Sequence, residues 1–116
     1  MPFFKTVWPT VVELPGFKQD VSGVLTELEC MELAVYLARQ PNCGDLIPGG
    51  KGLRKMRWRA RQRGKRGGAR IIYFYRMPDE TLFLLAAYAK SDAEDLTPNK
   101  KRELIDLAEA LSAACE

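Results

Sequence analysis

At 116 residues and 47% hydrophobic side chains, the chain is sized for a single domain spanning 1–116, with a real core. No apolar run approaches the roughly 18–20 residues of a membrane helix, and the opening MPFFKTVWPT lacks the apolar core of a signal peptide. A cytoplasmic address with no membrane partner is therefore expected. The chain has no histidine, which excludes Ser-His and Cys-His nucleophile pairs, and Cys30, Cys43 and Cys115 are too widely spaced for a zinc site. No metal and no cofactor are expected, and the thiols read as inert.

The net charge of +3 hides a strong asymmetry. Residues 1–50 carry three basic and six acidic side chains, and residues 77–116 carry four and nine. Residues 51–76 carry eleven basic groups and no acid. A cationic middle between acidic ends is the electrostatic footprint of a polyanion-binding surface.

In chain order, Phe3 to Val7 has the look of a short strand closed by Trp8-Pro9. Thr10-Val-Val-Glu13 has the outline of a capping box, which Pro15-Gly16 would interrupt. Thr26-x-x-Glu29 is a second capping box, and Leu28, Met31, Val35 and Ala38 recur at helical spacing up to Arg39, before Pro41. That stripe is expected to be core packing. Asn42 to Gly52 is a turn-rich connection without the GxxxxGK[ST] pattern of a phosphate loop.

From Leu53 the sequence alternates. Met56, Trp58 and Ala60 fall on one face of a strand, while Lys55, Arg57, Arg59 and Arg61 fall on the other. A charged edge strand that merely resists aggregation would be served by lysine; arginine suits forked contacts to phosphate. Gln62 to Gly68 follows as a basic loop holding Arg63, Lys65 and Arg66. Ala69 to Arg76 and Thr81 to Lys90 then predict a hairpin apolar on both faces, as interior strands are. With the turn centred on Asp79, Arg70 lies across from Tyr88, and Lys90 lies just beyond. Arg70, Tyr88 and Lys90 should therefore meet at one end of the hairpin, where the basic loop returns. Thr97-Pro98 opens a last helix with Leu104, Ile105, Ala108 and Leu111 along one side.

These stretches, GDLIPGGKGLRKMRW, GKRGGARIIYFY and LLAAYAKSDAEDLTPNKKREL, in this order, resemble RelE-type toxins of bacterial toxin–antitoxin systems, and the HigB-like branch in particular. The likeness covers roughly residues 25–114. It implies an α+β fold, helices packed on a small, mostly antiparallel sheet. It also implies metal-free endonuclease action on mRNA in the ribosomal A site, by attack of a ribose 2′-hydroxyl on the adjacent phosphate. The implied partners are mRNA on the ribosome and a cognate antitoxin, a helix-turn-helix DNA-binding protein through which alone the pair meets operator DNA.

On the matching positions, the catalytic groups implied are Lys55, Arg57, Arg70, Tyr88 and Lys90. Arg54, Arg59, Arg61, Arg63, Lys65 and Arg66 would hold RNA around them. The chemistry asks for a base on the 2′-hydroxyl, a cation on the phosphorane and an acid for the leaving oxygen. Lys55 or Lys90 fits the first role, Arg70 the second, and Tyr88 the third or a stacking role. A non-enzymatic RNA-binding protein, or an inactive toxin homologue, is the alternative that the missing histidine suggests. A DNA-binding regulator is disfavoured, because the cations lie on strand and loop rather than on a recognition helix.

Overall fold

The computed structural model describes residues 9–60, 68–90 and 95–114. The strand expected at Phe3 to Val7 lies outside them. Within them the chain forms a five-stranded mixed sheet with three helices, an α+β architecture as expected.

The first departure comes early. Thr10–Glu13 is not a helix cap but a strand, β1, which pairs in parallel with the last strand. Val11 and Val12 favour an extended backbone, and that pairing settles the choice. Pro15, which seemed an interruption, is the first residue of helix α1 (Pro15–Val21), where its missing N–H costs nothing.

Helix α2 (Glu27–Arg39) starts as the sequence predicts. The Thr26 hydroxyl accepts from the Glu29 amide at 3.1 Å, and the Glu29 carboxylate accepts from the Thr26 amide at 2.9 Å. Its orientation is not as predicted. Leu33 and Leu37 are buried, while Leu28, Met31 and Val35 remain exposed. The stripe read as core thus faces outward. Two apolar series share this helix, and spacing alone does not say which one meets the sheet.

Strands β2 (Asp45–Leu46), β3 (Leu53–Trp58), β4 (Ala69–Arg76) and β5 (Thr81–Ala89) complete the sheet in the order β1-β5-β4-β3-β2. The strand-rich hairpin β4–β5 lies inside it and is buried on both faces, as its sequence predicts. Its turn is a short 3-10 segment, Met77–Asp79. Helix α3 (Pro98–Ala113) has Thr97 as N-cap, the hydroxyl accepting from Lys100 N–H at 3.1 Å. Leu104 and Ala108 are its buried residues.

The two faces of the sheet carry separate cores. Phe17, Leu33, Leu37, Ile71, Tyr73 and Leu84 form one beneath α1 and α2. Leu53, Ile72, Phe74, Leu85, Leu104 and Ala108 form the other beneath α3. Tyr73, fully buried, reaches through the first core to the loop after α2. Its hydroxyl donates to the Pro41 carbonyl at 2.9 Å and accepts from the Gly44 amide at 2.8 Å. A Cβ on Gly44 would stand 2.8 Å from that ring, so only glycine allows the approach.

Candidate functional site

Three charged or polar residues line up across the sheet. Arg57 on β3 is opposite Arg70 on β4, and Arg70 is opposite Tyr88 on β5. Directly opposed residues share a face, so these three side chains form one row. Lys55, two residues before Arg57, shares that face. It is the face whose other half is covered by α3.

The row depends on an irregularity. From Arg76↔Thr81 to Tyr73↔Leu84 the hairpin runs in one register; from Ile72↔Ala86 onward it runs one residue further along β5. Leu85 is the extra residue. A regular ladder continued from the turn would set Arg70 against Ala87 and turn Tyr88 to the opposite face. The bulge at Leu85 restores the row. Beside it, the Ala87 amide donates to the Asp20 carboxylate of α1 at 3.0 Å, on the edge that β1 no longer pairs.

Lys90 follows the end of β5, and its amide donates to the Gly68 carbonyl at 3.1 Å, two residues before Arg70. Gly68 has φ +65°, and a side chain there would run into the Trp58 carbonyl. Glycine thus lets the chain return tightly against β3 and brings Lys90 to the same end of the sheet as Arg70.

Asp95 joins this group although the sequence reading gave it no role. Its carboxylate is 3.4 Å from the Lys55 ammonium and accepts from the Leu96 amide at 2.8 Å. The Leu96 amide first, then the Lys55 charge, hold the Asp95 carboxyl below its ordinary range. Tyr88 moves the other way. Burial raises its phenol pKa, and the Asp95 charge adds to that against the opposing pull of Arg70. The Tyr88 hydroxyl is shut off from solvent and makes no well-aligned hydrogen bond among the described residues. It is a protonated phenol at neutral pH, equipped to donate.

The remaining expected RNA contacts divide. The Arg54 guanidinium donates to the Asn42 and Gly44 carbonyls at 3.1 and 2.6 Å, bracing the loop before β2. Arg59 comes after the end of β3 and lines a groove against α2 instead of extending the row. Arg61, Arg63, Lys65 and Arg66 lie outside the described residues. No group of three or more His, Cys, Asp and Glu among the described residues is placed to hold a metal ion. Cys30 and Cys43 are free thiols, and burial raises the pKa of the first.

Asp95 escaped the sequence reading because its link to Lys55 spans forty positions. The one available signal was its place in the acidic stretch that follows a cationic hairpin.

The fold is that of a known small toxin. The chain is similar to the free-state structure of a double-arginine mutant of Escherichia coli toxin RelE, with TM-score 0.55 and 13% identity over 76% of this chain and 90% of that one. The model of the family described as the RelE toxin of the RelE/RelB toxin–antitoxin system matches residues 34–116. The chain belongs to that family, and an antitoxin is its implied partner. Among the described residues no helix is long and apolar enough to cross a membrane.

Proposed function

We propose that this chain is a ribosome-dependent endoribonuclease toxin of the HigB-like branch, cutting mRNA in the A site and so arresting translation. The observation that carries the reading is the row Arg57–Arg70–Tyr88. Two arginines directly opposed on neighbouring strands repel each other unless an anion lies across them. A backbone phosphate is such an anion, and forked guanidinium contacts suit it.

In the proposed step the ribose 2′-oxygen attacks the adjacent phosphorus. The new oxygen–phosphorus bond forms as the bond to the 5′-oxygen breaks, leaving a 2′,3′-cyclic phosphate and a 5′-hydroxyl. Arg57 and Arg70 stabilise the charge that builds on the phosphorane. Tyr88, whose buried hydroxyl has to be uncovered as the RNA binds, supplies the proton to the leaving 5′-oxygen. Lys55 or Lys90 is the group that takes up the 2′-proton. Asp95 shares Lys55 in the free protein and competes with an arriving phosphate for it. These side chains fill each role without a metal. The ribosome supplies alignment of the message, worth several kcal/mol that a free RNA would not provide. The antitoxin is expected to be a helix-turn-helix protein through which alone the pair meets operator DNA.

A reconstituted translation system tests the proposal. Purified protein should cut mRNA on programmed ribosomes and leave the same RNA intact in their absence. Intact ribosome-bound message, with RNA still bound to the protein, would favour the non-enzymatic RNA-binding reading instead.

A further inference from the structure

Both neighbours of β5 let go of it at the same place. Its parallel pairing with β1 ends at Glu13↔Leu84, where the Leu14 amide donates to the Leu84 carbonyl at 3.1 Å. Its antiparallel ladder with β4 is interrupted one residue later, by the bulge at Leu85. A bulge bends the strand that carries it and leaves local pairing unmade. The residues that follow, Ala86, Ala87, Tyr88 and Ala89, are alanines around one tyrosine. An alanine offers packing only a methyl group, so these side chains anchor the segment weakly. On one edge β4 resumes its hold, from Ile72↔Ala86 to Ala69↔Ala89. On the other edge no strand lies among the described residues.

Helix α1 takes the place of the missing strand. Directly after β1 the chain turns back over the bulge, and a Cβ on Gly16 would stand 3.6 Å from the Leu85 carbonyl. One helical turn further, half-buried Asp20 accepts from the Ala87 amide at 3.0 Å, one residue before Tyr88. Phe17 and Val21 of the same helix are buried in the core beneath, which fixes where the carboxylate can reach. A hydrogen bond from an amide to a carboxylate is roughly twice as strong as one between neutral groups. Asp20 is thus a charged tie on the outer edge of the segment that carries Tyr88.

We propose that Asp20 is a positioning residue for RNA cleavage: by holding the Ala87 amide it keeps the end of β5 in the sheet and Tyr88 in line with Arg70. The inference rests on the reading of Tyr88 as proton donor to the leaving 5′-oxygen. Asp20 touches no RNA itself, since α1 lies on the sheet face opposite the cationic row. It acts on the reaction only through the backbone beside Tyr88.

Hydrogen exchange and cleavage, measured on the full chain, test the proposal together. In Asp20→Ala the Ala87 and Tyr88 amides should exchange about tenfold faster or more, while Leu82, before the bulge, keeps the parent rate. Single-turnover cleavage of mRNA on programmed ribosomes should fall by about 10–100-fold at saturation, with half-saturation unchanged. In a Tyr88→Phe background the same substitution should cost no more than about twofold, because the group it positions is gone. Asp20→Asn keeps a neutral acceptor and should cost about threefold in both readouts. Cleavage by Asp20→Ala at the parent rate overturns the proposal. So does a loss of cleavage as large in Tyr88→Phe as in the parent, or faster exchange at Leu82 as well, since Asp20 would then support the sheet as a whole. If Asp20→Ala does not fold, Asp20→Asn decides: poor cleavage with Ala87 exchange unchanged overturns the proposal. A parent chain that never cleaves sinks the ribonuclease reading, while the exchange pattern, read without RNA, still shows whether Asp20 ties down Tyr88.

Discussion

Arg57 lies directly opposite Arg70, like charge against like charge, one pair from the end of the β3–β4 ladder. A fold selected for stability alone would not place them so, since like charges opposed across strands cost a few tenths of a kcal/mol or more. Replacing Arg70 by alanine should leave the chain folded while cutting cleavage of ribosome-bound mRNA by about 10²–10³-fold, as removal of one transition-state donor does. Thermal melts and single-turnover cleavage, run on the same preparation, check both halves.

Tyr88→Phe separates proton donation from stacking. The ring stays, and with it the stacking surface. The buried hydroxyl goes, and since it makes no well-aligned hydrogen bond among the described residues, its loss should not destabilise the protein. Cleavage should fall by about 10²-fold or more if the phenol is the acid. Retention of full cleavage would reduce Tyr88 to a stacking residue.

The Lys55–Asp95 pair is exposed enough that its strength is small, 35% and 68% for the two side chains. Asp95→Asn should therefore leave folding intact and tighten binding of an uncleavable RNA, carrying a 2′-deoxy sugar at the scissile position, by up to about fivefold, because Lys55 no longer has a competing anion. Binding unchanged at low salt would show that Lys55 does not touch phosphate.

Tyr73 is the structural counterpart of Tyr88, its buried hydroxyl paired on both sides. Tyr73→Phe removes the acceptor for the Gly44 amide and the donor to the Pro41 carbonyl. A buried amide left without a partner costs about 1–3 kcal/mol, which should appear as a clear drop in denaturation midpoint. Cleavage measured well below the new melting temperature should be spared.

Asp79, in the hairpin turn, forms two hydrogen bonds to the Arg76 guanidinium, at 3.0 and 2.6 Å. These bonds first, and the Arg76 charge with them, bring its carboxyl pKa down from 3.8 to about 2. The folded form holds this proton less tightly than the unfolded chain. The contribution of the pair to stability is thus fully present above about pH 4 and is lost as pH falls through about 2. Carboxyl chemical shifts followed by NMR should place the Asp79 midpoint near 2. A midpoint close to 3.8 would mean the Arg76 contact is not made in solution.

Much of this molecule was legible because local chemistry dominates where it is strong. The Thr26 capping box, the Thr97-Pro98 helix start and the doubly apolar β4–β5 hairpin each depend on residues close in sequence. What stayed hidden depends on distant pairing. Thr10–Glu13 becomes a strand because β5 offers it an edge, more than seventy positions away. The ridge Leu28–Met31–Val35 and the series Leu33–Leu37 look equivalent in periodicity, and only the sheet decides which is buried. Arg70 does face Tyr88 as expected, yet not through a ladder counted from the turn; it does so because Leu85 adds a residue that no spacing rule reveals. Asp95 was invisible for the same reason, its partner lying two strands back.

Mapping the 5′ ends of transcripts after induction of the chain in bacteria tests the central claim most directly, with Arg70→Ala run in parallel. The account predicts new 5′-hydroxyl ends inside translated reading frames, in register with codons, absent from untranslated RNA and absent with the variant. New ends that ignore reading frame, or that persist undiminished in Arg70→Ala, would contradict it.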